Sequence, residues 1–282
     1  MTIPQLGPTS LTDLQASVRS RLDDVSAEMR RMIEEDFPLI SEVNQHLLRM
    51  RGKMFRPTLV LLADQATGGP TERAATFAAV IEVIHLATLV HDDSVDHSTL
   101  RRGMPTINAL FSHQVSVIMG DFLYSRAVVE LVRLGNLDAL RILSRVTTAM
   151  TVGEMRQLLA DDPLSFGEPE YDLLIKAKTA SLMSGACEVG ALEAPLAQRQ
   201  ALASFGEKLG MIFQITDDLL DYTADETTTG KPSGLDLHEH KVTLPLIYAI
   251  PRLSPVERAE LEALMRDPTP SDDAIASVVA SV

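Results

Sequence analysis

Apolar residues recur three or four positions apart from one end of this chain to the other, a period that an α-helix satisfies and a strand does not. Leu11, Leu14, Val18, Leu22, Val25, Met29 and Ile33 form the first such stripe, and Ser10 with Asp13 reads as a capping box at its start. The same spacing runs through 39–50, 57–66, 71–90, 114–134, 137–160, 171–192 and 198–222. Gly68-Gly69, Gly135-Asn136 and Asp162-Pro163 stand between periods as turns. No stretch alternates apolar and polar residues long enough to suggest a sheet. The expected fold is therefore all-α, a single-domain helical bundle of about ten helices or more over residues 1–282. Leu244–Met265 reads as one helix, and Ser271–Val282 as the start of another cut short, so the C-terminal helices are expected to be shortened.

Charge and composition remove several classes. The chain carries 39 Asp+Glu against 25 Lys+Arg, a net charge of −14, which leaves no excess of cations to neutralise nucleic-acid phosphates. The single cysteine, Cys187, supports neither an internal disulfide nor a thiolate zinc site. The most apolar run, Phe77–Val90, is interrupted by Glu82 and His85 and is too short to span a membrane. Residues 1–30 lack the apolar core of a secretory signal. A cytoplasmic protein with no transmembrane segment and no nucleic-acid partner is expected.

Two acidic clusters end apolar helical periods: Asp92-Asp93-Ser94-Val95-Asp96 and Asp217-Asp218-Leu219-Leu220-Asp221. At about 100° per residue the first and last aspartates of each lie one turn apart on one helix face. One such cluster alone is most simply a solvated helix end. Two, each on an otherwise apolar helix, place like charges where they repel unless a cation lies between them. Carboxylates of this kind suit Mg²⁺, which takes a few carboxylates, several waters and substrate phosphates. Basic residues follow the same geography: Lys53 and Arg56, Arg101-Arg102, Lys178, and Lys231 with Lys241. Read blandly, these are surface ion pairs; read together, they are cradles for two diphosphates.

The chain resembles the all-trans polyprenyl diphosphate synthases, the head-to-tail isoprenyl diphosphate synthases. The resemblance rests on Gly52-Lys53-Met54-Phe55-Arg56-Pro57, His85, the DDxxD at Asp92–Asp96, Arg101-Arg102-Gly103-Met104-Pro105-Thr106, Gly120-Asp121 and Lys178-Thr179. Phe213-Gln214, the second DDxxD at Asp217–Asp221, Gly230-Lys231-Pro232 and Lys241-Val242-Thr243-Leu244-Pro245 complete it. It implies a helical bundle around a deep central cavity, a homodimer, and transient membrane contact for product release. It implies up to three Mg²⁺ per active site, held by Asp92, Asp96 and Asp217 with Asp93, Asp218 and Asp221 in support. Arg101, Lys178, Lys231 and Lys241 would hold the allylic prenyl diphosphate, and Lys53, Arg56, His85 and Arg102 isopentenyl diphosphate. Thr179 and Gln214 would sit near the developing allylic cation. By itself, His85 on an apolar helix would read as a satisfied core histidine.

The implied activity is the Mg²⁺-dependent condensation of isopentenyl diphosphate with an allylic diphosphate to a longer trans-polyprenyl diphosphate. Counted back along the helix from Asp92, the small residues Ala87 and Thr88, then Ile84, would line the channel for the growing chain and leave it open to hexaprenyl-to-decaprenyl products. Geranylgeranyl diphosphate is the alternative product. A regulatory synthase subunit and an HD-type metal phosphohydrolase are the alternative functions; the first tends to lose aspartates this chain keeps, and the second leaves the second DDxxD unexplained. Two positions depart from the family: Met54 stands where relatives carry a second basic residue, and His240 where a glycine is common.

Overall fold

The computed structural model describes residues 10–50, 52–158, 163–223 and 234–282. The chain forms two compact units, one of Met1–Ser144 with Leu182–Gly206, the other of Arg145–Ser181 with Glu207–Val282.

The first unit holds helices α1 (Leu11–Gln15), α2 (Arg19–Ile33), α3 (Pro38–Arg49), α4 (Phe55–Ala66), α5 (Ala74–Val95), α6 (Ile107–Leu110) and α7 (His113–Leu134). The capping box at Ser10 is present, with Asp13 N–H donating to Ser10 Oγ and Ser10 N–H to Asp13. The first stripe is not one helix, however, because a 3₁₀ turn at Ala16–Val18 separates α1 from α2. Helix α5 is the centre of this unit and packs against α2, α4 and α7. Val80, Ile81, Val83 and Ile84 are all buried on it, which explains why it is apolar on every side; each such side chain contributes about 1.5–3 kcal/mol. Its 22 residues are long and apolar enough to cross a membrane by length and composition, yet 67% of its most apolar window is buried inside the protein. At Gly120, α7 comes so close to α5 that a Cβ would fall 2.2 Å from His91 Nε2.

The sequence pattern gave no sheet, but there is a small one: Leu100–Arg101 pairs antiparallel with Met104–Pro105. Its two turn residues, Arg102 and Gly103, both have positive φ, the geometry of a two-residue type I′ hairpin. Strands of two residues are too short for alternation to register.

Helices α8 (Leu137–Leu158), α10 (Ser181–Gly190) and α11 (Leu196–Thr223) contribute residues to both units. The second unit also holds α9 (Glu168–Ile175), a π-helical turn at Lys176–Ala180, and helices at Leu235–His238, Leu244–Ala249, Pro255–Arg266 and Asp272–Ser281. Leu237, Leu246, Leu261, Leu264, Ile275 and Val278 form its core. The expected single helix over Leu244–Met265 is therefore broken. A 3₁₀ turn at Ile250–Arg252 follows Leu244–Ala249, and a new helix starts where Ser254 and Glu257 form a capping box ahead of Pro255. The segment expected as the start of a helix runs Asp272–Ser281, N-capped by Ser271.

Candidate active site

In the first unit, Lys53 is exposed in the loop before α4, and Arg56 lies in that helix's first turn. Met54, at the helix N-cap, takes a left-handed φ of 53°, a conformation costly for a residue with a Cβ. Arg56 Nη1 donates to His85 Nε2 at 3.0 Å. A guanidinium has donors only, so the imidazole accepts here and is neutral, with its proton on Nδ1. Burial, reinforced by the charges of Arg56, Arg102 and Arg101, holds His85 well below its ordinary pKa. Glu82, one turn before His85, is 5% exposed; burial pushes its carboxyl up against the opposing pull of Arg56 and Arg102.

Arg102 reaches the same place from the hairpin. Its Nη1 donates to Met50 O at 2.8 Å, and a Cβ on Gly52 would stand 2.9 Å from that nitrogen. The glycine of the first basic motif thus makes room for the arginine of the second. Next to these groups, a cleft of about 360 Å³ is lined by Lys53, Met54, Glu82 and Leu86, with Arg19 and Arg30 of α2.

The first aspartate cluster ends α5. Asp96 N–H donates to Asp92 O at 2.8 Å, which closes the last turn and sets both on one face. Both are half-buried, whereas Asp93 is 3% exposed and accepts from Arg101 Nε at 2.6 Å. Further back along the helix, Ala87 and Ile84 are buried, and Thr88 is half-buried with its hydroxyl donating to His85 O.

The second unit repeats this division of roles. Asp217 is exposed on α11, while Asp218 is 5% exposed and accepts two hydrogen bonds. Tyr171 Oη donates to its Oδ2 at 2.5 Å, and Gln214 Nε2 to its Oδ1 at 2.7 Å. Thr179 Oγ1 in turn donates to Gln214 Oε1 at 2.7 Å. Burial raises the Asp218 carboxyl, as do Asp217 and Asp221, while the two hydrogen bonds oppose them. Asp221 accepts from the backbone N–H groups of Leu235 and Asp236, both at 3.1 Å, and so caps the helix at Leu235–His238.

Lys178 and Thr179 lie on the π-helical turn, where the extra residue widens the helix, a distortion often found at functional sites. Lys178 Nζ pairs with Glu154 Oε2 at 2.7 Å. Lys241 Nζ pairs with Glu239 at 2.6 Å, and the neighbouring His240 takes a left-handed φ of 54°, a conformation costly for a residue with a Cβ. Lys231 lies outside the described residues, as does most of the unpatterned loop around it.

The structure thus brings Lys53, Arg56, His85, Arg102 and the first aspartate cluster together in one unit, and Lys178, Thr179, Gln214, Lys241 and the second cluster in the other. Sequence reasoning missed Tyr171, Glu154 and the role of Glu82. The Gln214–Asp218 spacing of one turn was the only local signal pointing toward this network. Among the described residues, no three His, Cys, Asp or Glu side chains converge closely enough to cage a metal ion by themselves. The hard oxygen donors at Asp92 and Asp96 fit an ion that takes only one or two carboxylates and completes its shell with water and phosphate.

This division of groups into acidic and basic sets defines a class that comparison identifies. The polyprenyl synthetase family matches residues 37–282, and the chain belongs to it. Component 2 of heptaprenyl diphosphate synthase from Geobacillus stearothermophilus is 40% identical over 237 residues, covering 81% of this chain and 73% of that protein. Octaprenyl diphosphate synthase from Escherichia coli K12 is 38% identical over 239 residues, 84% of this chain and 74% of that one. Among solved structures, a polyprenyl synthase from Caulobacter crescentus CB15, complexed with calcium and isoprenyl diphosphate, superposes with a TM-score of 0.92 at 33% identity, covering 98% of this chain and 85% of that one. The fold is accordingly the all-α isoprenoid synthase fold.

Proposed function

We propose that this chain is a Mg²⁺-dependent prenyltransferase that joins isopentenyl diphosphate head to tail to an allylic prenyl diphosphate, giving a trans-polyprenyl diphosphate of hexaprenyl to decaprenyl length. The observation that carries the reading is the Arg56–His85 bond beside Arg102: a neutral imidazole and two guanidiniums gathered at one partly buried place make a cradle for a diphosphate. The heptaprenyl and octaprenyl products named for the relatives above support the chain length.

Asp92, Asp96 and Asp217 are the carboxylates that would hold the metal. When bound, it supplies charge stabilisation to the diphosphate that leaves the allylic carbon. Arg101, Lys178 and Lys241, with Lys231, would neutralise the remaining oxygens of that group. Lys53, Arg56, His85 and Arg102 would hold the second diphosphate so that its alkene faces the allylic carbon. The allylic C–O bond breaks with its electron pair leaving on diphosphate, the isopentenyl double bond closes the new C–C bond, and a proton is lost to the departed diphosphate. Thr179 Oγ1 and Gln214 Oε1 offer oxygen lone pairs to the cation between those steps.

Self-association as a homodimer has its support on α7. Ile118, Val129 and Val132 are 63%, 59% and 64% exposed and recur on one face of that helix. A cytoplasmic location fits the placement of α5 as a core helix, with transient contact of the released product with membrane.

The reading is tested by incubating the protein with labelled isopentenyl diphosphate, farnesyl diphosphate and Mg²⁺ and separating the products by length. A ladder ending between hexaprenyl and decaprenyl is expected. Phosphate release without condensation would replace this reading with hydrolysis.

A further inference from the structure

Tyr171 belongs to none of the motifs that define the site, yet it is the most completely enclosed aromatic residue in the second unit, 1% exposed, and its hydroxyl lies 2.5 Å from Asp218 Oδ2. We propose that Tyr171 is a positioning residue that acts through Asp218 to fix which atom of the Gln214 amide faces the reacting allylic group. This rests on the function proposed above.

The hydrogen-bonding capacity of each group fixes how it is turned. An ionised carboxylate only accepts, so the partner it meets on Gln214 must be the NH₂ end of the amide, and the Oε1 end is turned the other way. Thr179 Oγ1 donates to that oxygen, leaving the lone pairs of both Thr179 and Gln214 as the unengaged ends of the chain. Tyr171 holds the second carboxylate oxygen, which stops the carboxylate from rotating about its Cβ–Cγ bond. Asp218 lies on the same helix as Gln214, one turn further on, so its orientation passes directly to the amide. Without the phenol, Asp218 would be a buried carboxylate short of one donor and free to turn. The amide could then reverse, presenting NH₂ hydrogens where oxygen lone pairs are needed. The four groups make an unbroken line, Tyr171 to Asp218 to Gln214 to Thr179, within one unit of the fold.

This division of labour also separates Asp218 from Asp217. Adjacent in sequence, they differ in burial and partners: Asp217 is exposed, whereas both oxygens of Asp218 are engaged by the protein. Asp218 therefore supports the oxygens that face the cation rather than the metal.

The test is Tyr171→Phe, which removes one oxygen from a buried ring. The expected result is a fall in kcat of about tenfold, equivalent to losing one hydrogen bond to a charged group, with KM for both diphosphates within about twofold of wild type. In a Gln214→Ala background the same change is expected to lower kcat by less than about twofold, because its route is already cut. Asp218→Asn, which keeps the volume but offers a donor in place of an acceptor, should reproduce the loss of kcat. The Gln214 side-chain amide signals, followed by NMR, should shift and exchange faster in Tyr171→Phe, a readout that needs no turnover. Full kcat in Tyr171→Phe, an equal loss in both backgrounds, or unchanged Gln214 amide signals would each overturn the proposal. Absence of any condensation product from the wild-type protein would instead sink the proposed function, and the amide signals would still decide whether Tyr171 orients Gln214.

Discussion

Arg102 lies against the bare backbone of Gly52, its Nη1 only 2.9 Å from where a Cβ would stand. These residues are 50 positions apart in a chain of 282, and the contact links the loop carrying Lys53 to the hairpin carrying Arg101. Gly52→Ala is therefore expected to push the guanidinium out of place. The expected readout is a rise of about tenfold in KM for isopentenyl diphosphate with kcat largely kept, since the loss falls on binding of the second substrate. Steady-state kinetics with each substrate varied in turn checks this; a rise confined to the allylic KM would contradict it.

The carboxylates of the first cluster should divide by burial. Asp92→Asn is expected to lower kcat by about 10²–10³-fold, because Asp92 is one of the carboxylates proposed to hold the metal, and to change the melting temperature less than Asp93→Asn, because it is half-buried rather than enclosed. Asp93→Asn removes the charge that Arg101 meets at 2.6 Å in a nearly enclosed place, so it should also lower stability by about 2 kcal/mol. Chelation should abolish turnover of the wild type and excess Mg²⁺ restore it. Equal melting temperatures for the two variants would refute the division.

Acid should weaken the fold through His85. Its folded pKa lies well below the unfolded value, so between the two the unfolded chain binds a proton that the native protein does not. Stability due to this group is complete above pH about 6.5 and is lost as pH falls below it, at up to about 1.4 kcal/mol per pH unit. Burial drives the shift, and the charges of Arg56, whose Nη1 lies 3.0 Å away, Arg102 and Arg101 add to it, with Glu82 buried one turn away. Denaturant titrations at pH 7.5 and 5.5 should show a larger drop for the wild type than for His85→Gln.

Product length should respond to Thr88. It shares the Asp92 face of α5 and is half-buried, while Ala87 and Ile84, the other two residues proposed to line the channel, are buried. Thr88→Phe is expected to shorten the main product by at least two isoprene units, read by chromatography of the dephosphorylated alcohols. An unchanged ladder would mean the growing chain does not pass this position. Ala87→Phe is expected to shorten the product as well, if the channel passes this position too.

Charge on the exposed face of α7 should split a dimer. Ile118→Asp with Val129→Asp is expected to shift the protein to monomer mass in light scattering while leaving its helical content unchanged. Identical masses for variant and wild type would remove α7 as the interface.

Much of this was legible because helices announce themselves in one dimension. The periods at 39–50, 114–134 and 198–222 correspond to Pro38–Arg49, His113–Leu134 and Leu196–Thr223 within a residue or two, and the Ser10–Asp13 cap is local by nature. What was missed depends on short or broken elements. The hairpin at Leu100–Pro105 has strands of two residues, and Leu244–Met265 kept its apolar spacing across a break that Pro251 and the Ser254 cap impose.

By itself the chain order determined which chemistry was available: two aspartate clusters at helical spacing, arginines and lysines in recurrent motifs, and one apolar helix to carry the first cluster inward. Only the tertiary structure decided which aspartate of each pair is enclosed and which is not. Asp92 and Asp93, like Asp217 and Asp218, are neighbours with identical side chains, and about 100° of helical rotation separates them. That angle turns one toward the open face and the other toward Arg101 or Tyr171, partners contributed by distant segments. Desolvation and the hydrogen bonds met on arrival therefore set each carboxylate's surroundings, and neither can be read from a residue's identity.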